Sequence, residues 1–290
     1  MLPIILIKGA MIGAVYASLA VGFSLVFGVA KIINLAHTAF FMLAAYAMYA
    51  LVMLYHLPIL AATGLMLIGV SLLAILAYLL FLDRIREHEG AVILVTVALG
   101  IAFQEIVLLM YESTFRAVEP FLHGIVDIFG VTVPKQELLI FGVTTACLVG
   151  VLLFLYKTRL GLCLRVTSQD RETANLMGIN VKWVCLVSVV VAVALAAVAG
   201  AVVSPTITVE PYMWAHPLVM MFAAVILGGL GSVKGSFIGA FILGYTEVLV
   251  VFLVPTGSFI KGSVAMLIMV IILLVRPEGL YGVVFEEERL

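Results

Sequence analysis

The sequence has very little charge and very few cysteines for its length. Asp, Glu, Lys and Arg make up 11% of its 290 residues, whereas a soluble domain carries about 25%. A soluble fold of this size has too little interior to hide so much apolar surface, so the solvent of this chain has to be lipid. The formal net charge of −1 and the lack of a dense Lys/Arg cluster exclude a nucleic-acid surface. The three cysteines are too few and too scattered for a disulfide framework or a zinc site.

The sequence also lacks the common catalytic motifs. It contains no Gly-Lys dipeptide and therefore no phosphate-binding loop of the nucleotide-hydrolase type. It contains no Gly-x-Ser-x-Gly, His-Glu-x-x-His or Cys-x-x-Cys either. We therefore predict that the chain is not an enzyme and holds no metal or other cofactor of its own. A membrane-embedded enzyme would need a cluster of candidate residues that the sequence does not offer.

Long apolar blocks fill most of the chain. A membrane-crossing helix needs about 20 apolar residues, so this length allows about eight to ten spans. The blocks are continuously apolar and do not alternate as the strands of a barrel do, and in hydrocarbon a helix satisfies its own backbone. We predict one all-α domain over residues 1–290, a polytopic transmembrane helix bundle. Its candidate spans are 4–30, 36–55, 58–82, 91–110, 137–156, 183–203, 217–229, 236–254 and 261–275.

The basic residues predict an orientation for these spans. When nine spans alternate, eleven of the fifteen Lys and Arg residues fall on one side, and that side is predicted to be cytoplasmic. The N-terminus would then lie outside and the C-terminus in the cytoplasm. The connection 111–136 would lie outside, where we expect a short helix and an extended stretch.

The cytoplasmic connection 157–182 predicts a short helix on the membrane surface. Thr167 or Ser168 can cap it, carboxylates favour its first turn, and Gly178 supplies the left-handed position that ends it. Its apolar Ala174 and Met177 stand three residues apart on one edge. A helix of about ten residues cannot bury that edge alone, so it either docks into another protein or merely links two spans. The residues assigned to this candidate docking helix are Ser168, Gln169, Asp170, Glu172, Ala174, Met177 and Gly178.

Two interruptions between apolar blocks, residues 34–37 and 228–232, stand far apart in the chain. Paired interruptions in two related halves are typical of a transporter's binding site, whereas two plain cytoplasmic turns are the other interpretation. Glu247 stands alone in the middle of an apolar block, and buried ionisable groups in membranes indicate function, although it could also be structural. The residues predicted to line a translocation path are Asn34, His37, Gly228, Gly229, Gly231, Ser232 and Glu247.

Several motifs resemble one family of transport proteins. Glu172-Thr173-Ala174 followed by Gly178 resembles the Glu-Ala-Ala…Gly coupling motif of ABC importer permeases, with Thr173 in place of the first alanine. The wider pattern is similar to the branched-chain amino acid permeases of the LivH type. Its pieces include Ile33-Asn34-Leu35-Ala36-His37 and Gly228-Gly229-Leu230-Gly231-Ser232, and the resemblance extends over nearly the whole chain.

The resemblance implies an importer subunit in the bacterial inner membrane. Its partners would be two cytoplasmic ATPase subunits that carry ATP and Mg²⁺, a second permease subunit, identical or related, and a soluble external binding protein. The scarcity of charge suits a small zwitterion with an aliphatic side chain, although permeases for urea or short amides share the same motifs. The alternative from a different class is an ATP-independent secondary transporter or channel. It would need a relay of ionisable side chains in the membrane, for which Glu105 and Glu247 are the only candidates.

Overall fold

A computed structural model describes residues 2–128 and 130–281, and these are mostly helical. Two segments are π-helical, Tyr49–Leu54 and Tyr78–Leu82, and each directly continues an α-helix. The helices are α1 (Leu2–Ala30), α2 (His37–Met48), α3 (Ile59–Ala77), α4 (Asp83–Ile85), α5 (Glu89–Tyr111), α6 (Lys135–Lys157), α7 (Arg159–Gln169), α8 (Arg171–Leu176), α9 (Val181–Val203), α10 (Ala215–Gly228), α11 (Val233–Leu253) and α12 (Gly257–Val275).

All nine predicted apolar blocks form helices. Eight of them are long and apolar enough to cross a membrane, and the ninth, α10, has 14 residues. The prediction of a polytopic helical bundle is therefore confirmed for the described residues. The predicted position of the C-terminus, including Arg289, lies outside them.

Helix α1 is the centre of the bundle. It is 29 residues long, about 43 Å at 1.5 Å per residue, and it packs against α6, α9, α10 and α11. Its closest crossing is with α11, where a Cβ on Gly244 would lie 2.5 Å from the backbone nitrogen of Gly13. Small residues at such a crossing let two helices approach closely in lipid. The contact with α11 therefore depends on glycine on both helices.

The bundle has two different ends. Successive spans alternate in direction, and the C-terminal end of α1 lies beside α8, so we call this the α8 end and the other the opposite end. Ten of the fourteen Lys and Arg residues in the described part of the chain lie at the α8 end, and Lys8, Arg116, Lys135 and Lys261 lie at the opposite end. The predicted charge asymmetry is thus present in the fold.

The connection between α5 and α6 differs from the prediction. Instead of a short helix it forms a two-stranded antiparallel hairpin, β1 (Ile125–Ile128) paired with β2 (Val131–Pro134). Both strands are rich in β-branched residues, which favour strands over helices. Gln136 ties the segment to the bundle, since its amide accepts from the backbone N–H of Phe121 at 3.0 Å and donates to the carbonyl of Val202 at 2.9 Å.

Candidate coupling surface and translocation path

The predicted surface helix over residues 168–177 is in fact divided at Asp170. Ser168 and Gln169 belong to the end of α7, and α8 begins only after Asp170, whose backbone is extended. The Asp170 carboxylate accepts hydrogen bonds from the backbone N–H groups of Glu172 at 2.9 Å and Thr173 at 3.2 Å. An aspartate that caps a new helix cannot also continue the preceding one. The proposed caps Thr167 and Ser168 are therefore wrong.

The cap at Asp170 is ionised at neutral pH. Hydrogen bonds from the Thr173 hydroxyl and backbone, and then from the Glu172 backbone, hold the pKa of this carboxyl below its usual value. Because the pKa is lowered, the cap stabilises the folded helix fully above the ordinary carboxyl pKa. This stabilisation is lost only as the pH falls through the lowered pKa. The start of α8 is consequently stable to mild acid.

The predicted helix end at Gly178 is confirmed. Gly178 has φ +82°, and its N–H donates to the carbonyl of Asn175 at 3.0 Å. The N–H of Ile179 donates to the carbonyl of Ala174 at 3.1 Å. This pair of bonds is the Schellman motif, which favours glycine at the left-handed position. Helix α8 is thus fixed at both ends in spite of its six residues.

The apolar residues of α8 do not share one exposed edge, contrary to the prediction. Ala174 is fully buried against the chain's own helices, and Met177 lies just beyond the end of the helix. Leu176 and Met177 are 88% and 72% exposed. These two large apolar side chains, not Ala174, form the apolar surface that α8 presents outward.

Arg171 ties α8 to α1. Its Nε and Nη2 donate to the carbonyl of Val29 at 3.0 and 2.9 Å. Val29 lies in the last turn of α1, where carbonyl groups lack partners within the helix. Lys31 follows with φ +49°, and burial together with the neighbouring Arg171 lowers its pKa. The sequence analysis missed Arg171, because 142 residues separate it from Val29 and no spacing signals the pair.

The first interruption is a buried, non-helical segment that turns back into the bundle. His37 starts α2 beside Gly22, where a Cβ would lie 3.1 Å from its Nε2. Gly22 is eight residues before the end of α1, about 12 Å inside the α8 end. Asn34 is buried and accepts from the N–H of Ala36 at 3.1 Å. The interpretation as a surface turn is therefore wrong here, since irregular backbone at this depth has to be covered by protein.

The second interruption is a tight turn at the α8 end. Gly229 and Gly231 have φ +102° and +81°, and Ser232 caps α11 by accepting from the N–H of Gly235 at 3.1 Å. Gly228 packs directly on the backbone of Gly235. A Cβ on Gly231 would lie 3.5 Å from the ring of Phe27 and 3.8 Å from the Cα of Gly28. Both interruptions thus adjoin the C-terminal part of α1.

Glu247 lies apart from the other predicted path residues, towards the opposite end. It is 2% exposed, and its two carboxylate oxygens accept from the hydroxyl of Tyr16 and the ammonium of Lys261. It lines a cavity of about 580 Å³ that α1, α6, α10, α11, α12 and residues 203–213 surround. Its partners are 231 and 14 residues away in the chain, so only the fold identifies them. In the part of the chain that the structure describes, no group of three or more His, Cys, Asp and Glu side chains could hold a metal ion.

The chain is similar in sequence to one class of transport proteins. A family described as branched-chain amino acid transport system / permease component matches residues 5–275. The high-affinity branched-chain amino acid transport system permease protein BraD of Pseudomonas aeruginosa is 28% identical over 292 residues, covering 96% of this chain and 94% of BraD. The probable branched-chain amino acid transport permease protein LivH of Methanocaldococcus jannaschii is 29% identical over 285 residues, covering 91% of this chain and 88% of LivH.

Among solved structures, PsaBC from Streptococcus pneumoniae in complex with Fab is similar with a TM-score of 0.49 and 18% identity, covering 92% of this chain and 89% of that chain. The family match extends over all nine apolar helices. It includes both interruptions and the segment of α7 and α8. This chain therefore belongs to the family of branched-chain amino acid transport system permease components.

Proposed function

We propose that this chain is the membrane-spanning permease subunit of a bacterial inner-membrane ABC importer for branched-chain or similar small hydrophobic amino acids. The observation that carries the proposal is the construction of α8. It is capped at both ends, exposes Leu176 and Met177, and is bonded to the central helix through Arg171. The family match and the names of its relatives supply the substrate class.

Helix α8 would be the surface on which an ATPase subunit docks. Two exposed apolar side chains beside a charged Glu172 form a compact patch of the kind that a groove in a partner accepts. Ser168, Gln169 and Asp170 at the junction of α7 and α8 complete the proposed coupling segment. The excess of Lys and Arg at the α8 end supports a cytoplasmic location for it.

Movement of the ATPases would reach the bundle through α1. A shift of α8 acts through the two hydrogen bonds of Arg171 on the last turn of α1, which packs against four other helices. The two interruptions adjoin the same part of α1. We therefore retain Asn34, His37, Gly228, Gly229, Gly231 and Ser232 as proposed elements of the moving path, together with Glu247 nearer the opposite end.

The remaining partners follow from the same proposal. ATP and Mg²⁺ would be held by two ATPase subunits, and a second permease subunit would cover part of the exposed apolar surface of α3, α5 and α12. A soluble binding protein would deliver the substrate at the opposite end. Importers of urea or short amides are the alternative within the same class.

A secondary transporter is less well supported by the geometry. Both oxygens of Glu247 are engaged by Tyr16 and Lys261, and Glu105 is exposed on the outer face of α5. The two carboxylates therefore do not form a relay. Such a transporter would also leave the exposed apolar patch on α8 without a partner.

Co-purification with the ATPase subunits tests the proposal. Leu176→Glu should reduce the ATPase recovered with the tagged chain by about tenfold, because it puts a charge in the centre of a small apolar contact. Leu122→Glu, at an exposed leucine of the opposite end, is the matched control and should leave recovery unchanged. Equal recovery with wild type and Leu176→Glu would reject α8 as the docking surface, and transport without any ATPase would reject the importer.

A further inference from the structure

The cavity that Glu247 lines reaches from the opposite end of the bundle to its middle. Tyr16 is the midpoint of α1, about 21 Å from either end of the helix. The other walls come from the starts of α6, α10 and α12 and from residues 203–213. All of these segments lie at the end remote from α8. Its volume of about 580 Å³ is within the usual range for small-molecule sites, roughly 300–1,000 Å³.

The cavity carries charges of both signs, although the chain as a whole has few. Three carboxylates, from Glu137, Glu210 and Glu247, share the lining with the ammonium groups of Lys8 and Lys261. Charged side chains at membrane depth are costly and mark functional sites by default.

The two ion pairs in the lining are not equivalent. Glu247 uses both oxygens, on Tyr16 and Lys261. Glu137 uses only Oε1, which accepts from Lys8 at a long 3.4 Å, while its buried Oε2 has no hydrogen-bond partner among the described residues. A buried carboxylate oxygen without a donor is costly and calls for a partner. Rotation of the Glu137 carboxylate towards the cavity would bring Oε2 to a donor that a ligand supplies.

The rest of the lining is mostly apolar, although it also includes Thr206, Thr208, Tyr212 and His216. Met11 and Val15 precede Tyr16 on α1, and Ile140 lies one turn after Glu137 on α6. An aliphatic side chain that leaves water for such a wall is stabilised in proportion to the apolar area that it buries. Acidic, basic and apolar groups therefore line the same cavity.

We propose that this cavity is a binding site for a zwitterionic α-amino acid with an aliphatic side chain, with Glu137 as the acceptor of the ligand's ammonium group. Lys8 and Lys261 supply the positive charge for the ligand's carboxylate, and the α1 and α6 wall receives the side chain. This inference rests on the proposed function and deepens it, because it gives this permease chain a substrate site separate from that of the external binding protein.

Protection of an introduced cysteine from alkylation tests the site in the assembled transporter. Ile207→Cys and Thr208→Cys place reporters in the cavity lining, in a background in which Cys147, Cys163 and Cys185 are replaced by alanine. Millimolar leucine should slow the labelling of at least one reporter. Leucinamide, which lacks the carboxylate, and 4-methylpentanoate, which lacks the ammonium, should not do so at the same concentration.

Glu137→Gln supplies the decisive comparison. It keeps the shape of the side chain and removes the charge, so it should raise the leucine concentration needed for half-protection by about tenfold or more. Glu119→Gln, at an exposed carboxylate in the connection that precedes α6, is the control and should leave protection unchanged. Equal thermal stability of the two variants shows that the loss is local.

Three results would overturn the inference. They are no labelling of either reporter, labelling that leucine does not slow, and full protection in Glu137→Gln. ATP-driven leucine uptake by the wild-type complex, measured in parallel, separates this failure from that of the proposed function. Uptake without protection rejects the site alone, whereas the absence of uptake of any branched-chain amino acid rejects the function.

Discussion

At the scale of single residues, the account depends most on Arg171. Its guanidinium donates two hydrogen bonds to one carbonyl at the end of α1, and it is the first residue of α8. A planar group with several fixed donors holds such a contact better than a lysine, whose ammonium is a point charge on a flexible stem. The Arg171 side chain therefore holds the start of α8 against the end of α1.

Removing this contact should separate ATP hydrolysis from uptake. We expect Arg171→Gln to lower uptake by about tenfold, since hydrogen bonds from a charged donor are worth roughly 1.5–3 kcal/mol, while the ATPase still binds and hydrolyses ATP. Arg171→Lys should retain part of the uptake. Arg165→Gln is the control, because it alters an arginine of α7 whose guanidinium lies over the ring of Tyr156 in α6. Loss of ATPase binding in Arg171→Gln would assign the residue to docking rather than transmission.

Sequence analysis found the residues whose partners are close in the chain and missed those whose partners are distant. Gly178 and Glu172 were found because a helix end and a first turn are read from neighbours within four residues. Glu247 was found as a charge in an apolar block, but its bonds to Tyr16 and Lys261 were not. Arg171, Glu137 and Lys8 lack any local signal. Their roles come from contacts across the bundle, which only the fold supplies.

At the scale of secondary-structure elements, apolar length predicted every membrane helix, because lipid permits few other structures. It did not predict where irregular backbone goes. The segment after α1 leads into the bundle, where the carbonyl of Ile33 accepts from the hydroxyl of Thr96 on α5 at 3.4 Å and His37 lies beside Gly22. The division of α7 from α8 at Asp170 was missed because an aspartate is equally acceptable in the first turn of a helix and at its cap.

The turn between α10 and α11 gives a test at this scale. Gly231 has φ +81° and only ordinary contacts around its Cα, so the backbone conformation and not the space demands glycine. Gly231→Ala and Gly231→Leu should therefore both lose about 1–2 kcal/mol of stability, with similar losses of uptake. Gly231→Asn should do less harm, because asparagine tolerates the left-handed region. A loss that grows steadily from alanine to leucine would instead indicate that Gly231 lines a narrow passage.

At the scale of the whole molecule, the account requires the α8 end to face the cytoplasm. Single cysteines at Arg84 and at Glu119 lie at the two ends of the bundle, and both side chains are exposed. They are better reporters than Arg116, whose guanidinium is bonded to Tyr49. In a cysteine-free background, an impermeant thiol reagent added outside intact cells should label Glu119→Cys and not Arg84→Cys. The reverse pattern would invert the proposed orientation and expose α8 to the wrong compartment.

The fold also explains how a chain with so few charges can serve a charged substrate. Five charged side chains at the opposite end line one cavity that reaches the middle of the bundle, namely Lys8, Glu137, Glu210, Glu247 and Lys261. The proposed connection to the ATPase lies in α8 and Arg171. Between them lies α1, which contacts both. The two regions are thus joined by α1, the central helix of the bundle.

The central claim is tested most directly by uptake in reconstituted vesicles. The chain is assembled with its second permease subunit and ATPases. The binding protein is added outside the vesicles, and ATP is enclosed inside them, on the side of the ATPases. Radiolabelled leucine, isoleucine and valine should accumulate against a gradient only when ATP is hydrolysed, while urea, acetamide and lysine should not. Accumulation that continues without ATP, or a preference for urea or acetamide over leucine, would contradict the account.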